Sequence, residues 1–228
     1  MQGKYKEIYD SSINQKEDFW KEIADNIFWY KKPSKILNSS NPPFYKWYED
    51  GTTNTSYNAI DFHIDNGRGE KLAIIYDSPI TKSKKTFTYN QLKEKVSLFS
   101  GVLKNQGINK GDRVIIYMPM IPEAVIAMLA CGRRGAVHSV VFGGFAANEL
   151  ASRIDDSKAK IIVSASCGYE PGRVVEYKPL LNKALELSKH KPNKCIIFQR
   201  EKNKAILDPQ IDVDWDESLK DAKPENCV

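Results

Sequence analysis

Between residues 71 and 198, short β-branched runs alternate with amphipathic helical segments, and this rhythm constrains the fold more than any other feature. The runs at 113–117, 137–142, 160–163 and 195–198 are continuously apolar or nearly so. Strands covered on both faces read this way, whereas half-exposed strands alternate in polarity. Between the runs lie helical stripes. Leu92, Val96, Phe99 and Leu103 recur at helical spacing and share one face. Thr88 is placed to cap that helix, and Gly107 and Gly111 turn the chain after it. Pro122 suits the first turn of a helix reaching Cys131. Residues 148–155 and 179–189 predict two more, the second with Leu181, Leu185 and Ser188 on one face. Residues 72–76 and 85–88, separated by a loop with Pro79, predict a hairpin-like pair. The expected class is α/β, a mostly parallel sheet with helices on both faces.

Residues 1–66 lack this rhythm. Phe19, Trp20, Phe28, Trp29, Tyr30, Phe44, Tyr45, Trp47 and Tyr48 crowd there with Pro33, Pro42 and Pro43. Asn14 stands where it would cap a helix carrying Phe19, Trp20 and Ile23. The segment is expected to be an aromatic-rich extension anchored by packing, with a stacking platform for a nucleotide as the alternative. The expected division is therefore 1–66 and 67–228. After Gln199 the chain turns charged and irregular, with Trp215 as a lone anchor.

With 228 residues, 41% hydrophobic and 28% charged, the chain can bury the core of one large domain or of a domain with an appendage. The longest apolar run, 125–131, is far too short to cross a bilayer, so no membrane role is expected. A net charge of +5 is spread along the chain. Its densest cluster, Lys82-Ser83-Lys84-Lys85, has no interleaved aromatics and reads as a solvated loop, so nucleic acid is not an expected partner. Cys131, Cys167, Cys195 and Cys227 have no metal-ligand spacing, and His63, His138 and His190 are scattered. A reducing compartment fits such cysteines. His138, inside an apolar run, is expected to be a packed, hydrogen-bonded histidine rather than a base. Residues 1–10 carry acids, no apolar signal core and no arginine. The expected location is cytoplasmic, or the mitochondrial matrix if a presequence is missing.

Two segments bear on chemistry. Gly143-Gly144 follows a strand and precedes a helix, where an anion can sit. The spacing makes neither G-x-G-x-x-G nor G-x-x-x-x-G-K-[ST], so a tight turn is the reading and a nicotinamide oxidoreductase lacks its fingerprint. Residues 167–178 follow the strand at 160–163 and precede a helix. In a doubly wound sheet, loops at the carboxyl ends of strands line the ligand crevice. Gly172 lets backbone approach a ligand, and Arg173 offers a planar, permanently charged fork for phosphate. On these residues alone the segment is either a ligand loop or a surface loop carrying one arginine.

Several motifs together resemble the front half of AMP-forming acid–CoA ligases. Phe87-Thr88-Tyr89-Asn90-Gln91-Leu92 is similar to their first core motif. Residues 107–114 resemble the lead into a buried strand, and residues 129–145, with Gly135-Ala136, the second core motif. Phe19-Trp20, the run 46–51, Asn54, Asn58, Asp61 and His63 resemble the N-terminal extension of acetyl- and propionyl-CoA synthetases. Glu170-Pro171-Gly172-Arg173, with residues 177–181, resembles the propionyl-CoA synthetase and short-chain family member 3 branch. Acetyl-CoA synthetases read Arg-Ala-Gly-Arg at that loop.

The resemblance implies the incomplete N-terminal domain of an adenylate-forming enzyme. It implies ATP, coenzyme A, Mg²⁺ and a short-chain carboxylate such as acetate or propionate, with acyl-CoA, AMP and pyrophosphate as products. It assigns Glu170, Pro171, Gly172 and Arg173 to coenzyme A. Glu170 stands where the family has an arginine, which leaves Arg173 as the phosphate partner. The family's Ser/Thr/Gly-rich phosphate loop ending in Pro-Lys-Gly is not in these residues. Catalytic, ATP and Mg²⁺ sites are thus expected beyond Val228, and the isolated chain is expected to be inactive. The alternative is a catalytically inactive fragment or pseudoenzyme acting through protein association, including self-association through an exposed sheet edge.

Overall fold

The computed structural model describes residues 2–144 and 146–228; Met1 and Phe145, the last residue of the second motif, lie outside the described residues. The chain divides into two compact units, Met1–Asn54 and Thr55–Val228.

In the first unit, α1 (Gln2–Asn14) and α2 (Lys16–Ala24) precede a short antiparallel ladder of β1 (Leu37–Asn38) and β2 (Lys46–Trp47). Asn14 does not cap α2. It is the last residue of α1, and Gln15 occupies the cap position without a side-chain cap bond. A residue held in helical conformation lacks the extended backbone a cap requires. Within this unit the aromatics serve one another as partners. Phe19 meets Trp20 edge-on at 5.1 Å, Trp20 meets Trp47 at 6.1 Å, and Trp29 meets Tyr48 at 5.5 Å. The Tyr48 hydroxyl donates to the Trp20 carbonyl at 2.8 Å, and Trp29 Nε1 donates to the Ala24 carbonyl at 2.9 Å.

The second unit opens with two π-helical turns, Tyr57–Asp61 and Ile64–Arg68. The antiparallel hairpin of β3 (Leu72–Ser78) and β4 (Ser83–Thr88) follows, as the sequence predicts. It leads into α3 (Tyr89–Asn105) through a reciprocal cap. Thr88 Oγ1 accepts from the Gln91 N–H at 3.3 Å, and the Thr88 N–H donates to Gln91 Oε1 at 2.9 Å. Next come β5 (Arg113–Met118), α4 (Pro122–Arg133), β6 (Val137–Phe142), α5 (Ala147–Ser157) and β7 (Ile161–Ala165). The chain continues through β8 (Cys167–Glu170), β9 (Arg173–Glu176), α6 (Tyr177–Leu187), β10 (Lys194–Phe198), β11 (Asp212–Asp214) and α7 (Trp215–Lys220).

Strands β5, β6, β7, β10 and β11 form one parallel sheet in the order β11-β10-β7-β5-β6. Their alternation divides the core. Val114, Ile116, Ile161 and Val163 pack with Val96, Phe99 and Leu103 of α3 and with Ala127 and Ala130 of α4. On the other face, Ile115, Tyr117, Ile162 and Ile197 pack with Leu150 and Ile154 of α5 and Leu181 and Ala184 of α6. Each fully buried aliphatic side chain contributes roughly 2 kcal/mol, so these two layers supply the main driving force for this architecture.

Other expectations change at the sheet's ends. The chain is not irregular throughout after Gln199, because Asp212–Asp214 pairs with β10. Behind it Trp215 is buried, stacked on Phe99 at 3.8 Å. Asp214 marks that helix start by accepting the N–H groups of Asp216 and Glu217. His138 is exposed, not buried, because β6 is an edge strand. Its neighbours Val137, Val140 and Phe142 are 55%, 50% and 64% exposed. Helix α6 begins at Tyr177, two residues ahead of Pro179. Proline is tolerated there because first-turn N–H groups have no intrahelical acceptor.

Candidate functional site

Strand β5 leads through α4, on one face of the sheet, to β6, whereas β7 leads through β8, β9 and α6, on the other face, to β10. Connections that leave adjacent strands in opposite directions open a crevice at the strands' carboxyl ends. A cleft of about 300 Å³ lies there. It is lined by residues that follow β5 (Pro119, Met120, Ile121), by Phe142 and Gly143, by Gly168 to Glu170, and by Tyr177 and Arg200. A second cleft of about 800 Å³ continues past the ends of β10 and β11 and shares Tyr76, Ile121, Tyr169 and Arg200 with the first.

Residues 167–176, expected as a loop, form the β8–β9 hairpin, which brings the four predicted coenzyme A residues together. Glu170 pairs with Arg173 across a two-residue corner of Pro171 and Gly172. Gly172 has φ of 77°, and with proline before it the corner matches a type II turn. An L side chain there would cost about 1–2 kcal/mol. Pro171, Gly172 and Arg173 are exposed, while Glu170 lines the first cleft. Arg173 Nε and Nη2 both donate to Glu170 Oε2, at 2.7 and 2.6 Å. Glu170 thus neutralises the arginine that the sequence points to. The two side chains are 70% and 42% exposed. Exposed pairs of this kind are worth about 0–1 kcal/mol, so a phosphate can displace the carboxylate.

Three further side chains belong to this region: Tyr177, from the run 177–181, and Arg200 line the first cleft, and Tyr117 is buried against Tyr177. Tyr177 is 4% exposed and wedged between Gly143 and Gly168, and a Cβ on either glycine would collide with its hydroxyl. Both glycines are therefore required by close approach. Burial pushes the Tyr177 phenol up to about 12. Tyr117, with its ring 5.0 Å away, is also raised by burial, and its hydroxyl meets the Gly144 N–H. Both phenols stay neutral at physiological pH; Tyr177 forms part of the first cleft's wall, and Tyr117 lies in the core behind it. The third is Arg200, whose guanidinium carbon lies 3.6 Å from the Tyr169 ring centre. The signal for these three is tertiary, since each partner lies far along the chain.

Among the described residues, no group of three or more His, Cys, Asp and Glu side chains could hold a metal ion. No helix among them is long and apolar enough to cross a membrane.

Comparison with known proteins agrees with this geometry. Residues 63–228 match the AMP-binding enzyme family, and residues 5–59 match the acetyl-coenzyme A synthetase N-terminus. The chain is 50% identical over 227 residues to acyl-CoA synthetase short-chain family member 3, mitochondrial, of Homo sapiens, covering 99% of this chain and 33% of that protein. It is 43% identical over 211 residues to propionate–CoA ligase of Escherichia coli K12, covering 92% of this chain and 33% of that protein. An acetoacetyl-CoA synthetase from Streptomyces lividans shares the fold, with a TM-score of 0.83 at 21% identity over 96% of this chain and 33% of that one. The chain spans about a third of the length of the curated relatives it matches. The two family matches, the parallel sheet and the relatives' identity agree: the chain belongs to the AMP-binding enzyme family and carries an N-terminal segment of the acetyl-coenzyme A synthetase type.

Proposed function

We propose that this chain supplies the front third of a short-chain acyl-CoA synthetase, and that its own share of the site is a wall of the coenzyme A groove. In the whole protein, a carboxylate oxygen attacks the α-phosphorus of ATP and pyrophosphate leaves. The sulfur of coenzyme A then attacks the acyl carbon, loses its proton, and AMP leaves with the carbonyl–oxygen bond's electrons. Acetate and propionate are the proposed acids, drawn from the relatives' names. Mg²⁺ belongs to the family's chemistry, but among the described residues the acids do not cluster as a metal site. The proposed division is an extension over 1–66 and the first part of the AMP-binding domain over 67–228. The proposed location is the cytoplasm, with the mitochondrial matrix as the alternative that the human relative's name raises. Fractionation of cells expressing the protein decides between them.

The observation that carries the reading is the exposed Pro171-Gly172 corner, with Arg173 on its rim beside a cleft at the carboxyl ends of the strands. The test is a titration of coenzyme A into the chain, followed by NMR. Saturable binding that Arg173→Ala weakens several-fold is the expected outcome. No binding by the wild type would end the reading.

A second reading has its own observation. Strand β6 is an edge strand with Val137, Val140 and Phe142 exposed, a surface suited to pairing with a second copy. Catalytically inactive association through that edge is the alternative role of these residues.

A further inference from the structure

We infer that Arg200, carried on the Tyr169 ring, is the residue that positions the phosphates of coenzyme A between the two clefts; this rests on the coenzyme A reading above. Arg200 lines both clefts. Among the described residues lining the first, it is the one cation, in a lining that also holds the acids Asp77 and Glu170. A polyanionic ligand entering that cleft meets no other side-chain cation among the described residues of its wall.

Arg200 and Arg173 differ in what they already hold. Arg173 carries Glu170 as a counter-ion. Among the described residues, Arg200 makes one side-chain hydrogen bond, from Nη1 to the Cys167 carbonyl at 3.4 Å, and its guanidinium lies over the Tyr169 ring. Stacking occupies the face of a guanidinium and leaves its edge donors open, which is the arrangement that grips a phosphate with two hydrogen bonds. Nε and Nη2 of Arg200 have no hydrogen-bond partner among the described residues.

The platform is braced. The Arg200 N–H donates to Ser166 Oγ at 2.9 Å, and Ser166 Oγ donates to the Asn203 carbonyl at 2.7 Å. The Lys202 N–H donates to the Tyr169 hydroxyl at 3.0 Å. A guanidinium fixed this way loses little freedom on binding, which favours affinity. Lys202 Nζ, 5.2 Å from the same ring, adds a second positive charge on the side of the larger cleft.

A purely structural role, strapping residues 199–203 to β8, is the competing account, and the test separates the two. Coenzyme A, dephospho-coenzyme A and pantetheine are titrated by NMR into the 228-residue chain as wild type, Arg200→Ala and Arg200→Lys. Arg200→Ala is expected to weaken coenzyme A about tenfold, the effect of losing one charge-assisted contact, and to leave pantetheine unchanged. Arg200→Lys restores part of the loss. If dephospho-coenzyme A shows the same loss, the contact is to the pyrophosphate; if it shows none, the contact is to the 3′-phosphate. Equal coenzyme A affinity in wild type and a folded Arg200→Ala overturns the inference, while the coenzyme A reading survives. Equal loss for coenzyme A and pantetheine also overturns it, in favour of the strap. If Arg200→Ala does not fold, Arg200→Gln and Arg200→Lys carry the same comparison. Absence of coenzyme A binding by the wild type removes the coenzyme A reading itself and this inference with it.

Discussion

Asp61 belongs to the run of residues resembling the acetyl-CoA synthetase extension, yet its role in the structure is to join helices. Its carboxylate receives Arg133 Nη1 at 2.6 Å and Nη2 at 3.2 Å, and Lys93 Nζ lies at 2.9 Å. Arg133 is 1% exposed, and its Nε donates to the Glu225 carbonyl at 2.6 Å, so the same ion pair fastens the last residues to α4. Burial raises the Asp61 carboxyl, but the bonds to Arg133 and Lys93 outweigh it and hold the group below its ordinary value of 3.8. The folded state therefore binds this proton less readily than the unfolded state. Stability from Asp61 is complete above pH 3.8 and is lost as pH falls below that value through the lowered native one. Asp61→Asn removes the buried carboxylate to which Arg133 is bonded, a loss of about 3–5 kcal/mol. Urea melts across pH 2 to 7 should show the variant less stable at neutral pH and less sensitive to acid. Parallel curves for variant and wild type would refute this account of the pair.

At the scale of elements, local chemistry made some parts readable and long-range pairing hid others. Thr88 was readable because a cap needs only its own helix, three residues away. Thr88→Ala removes one half of the reciprocal cap, and a loss of about 1 kcal/mol is expected in chemical denaturation. A loss below about 0.3 kcal/mol would mean that Gln91 and the β3–β4 hairpin hold the helix start unaided. Strands β5, β7 and β10 were readable because both faces are covered, which writes unbroken apolar runs. Strand β6 carries an equally apolar run, Val-His-Ser-Val-Val-Phe, yet stands at the edge. Nothing local separates an edge strand from a central one, since strand order is settled by the crossover of α5. The β8–β9 hairpin had a local sign in Pro171-Gly172, but its strands are too short and mixed in polarity to announce themselves. Strand β11 had less, because Asp-Val-Asp contributes one apolar side chain. The same division holds at the site. The four proposed residues of the hairpin corner are contiguous, so the sequence presents them as one group. Tyr177 owes its position to glycines at the ends of two other elements, and Arg200 to a ring on β8, so no spacing rule reaches them.

For the whole molecule, what it does alone depends on which surfaces are finished. The sequence holds no run resembling the family's phosphate loop, and its acids form no metal cluster among the described residues. The 228-residue chain should therefore release no pyrophosphate from ATP with propionate and Mg²⁺; steady turnover would show that these residues suffice. Its unfinished surface is the β6 edge. Along that strand the backbone groups facing away from β5 have no strand partner among the described residues, and the run carries no lysine, arginine, acid or proline. Natural edges are protected by such residues, and this one has only His138 and Ser139 between its apolar side chains. Two copies brought together by a twofold axis would pair β6 with β6 without opposing charges. Sedimentation should then reveal a concentration-dependent dimer. Val140→Lys, placed where the wild-type side chain is 50% exposed, should return it to monomer with little change in melting temperature. A lysine there costs the monomer almost nothing, because little packing is lost, but it sets two like charges against each other in the pair. Wild-type chain that sediments as a monomer at all concentrations would remove the association role and leave coenzyme A binding as the one proposal standing.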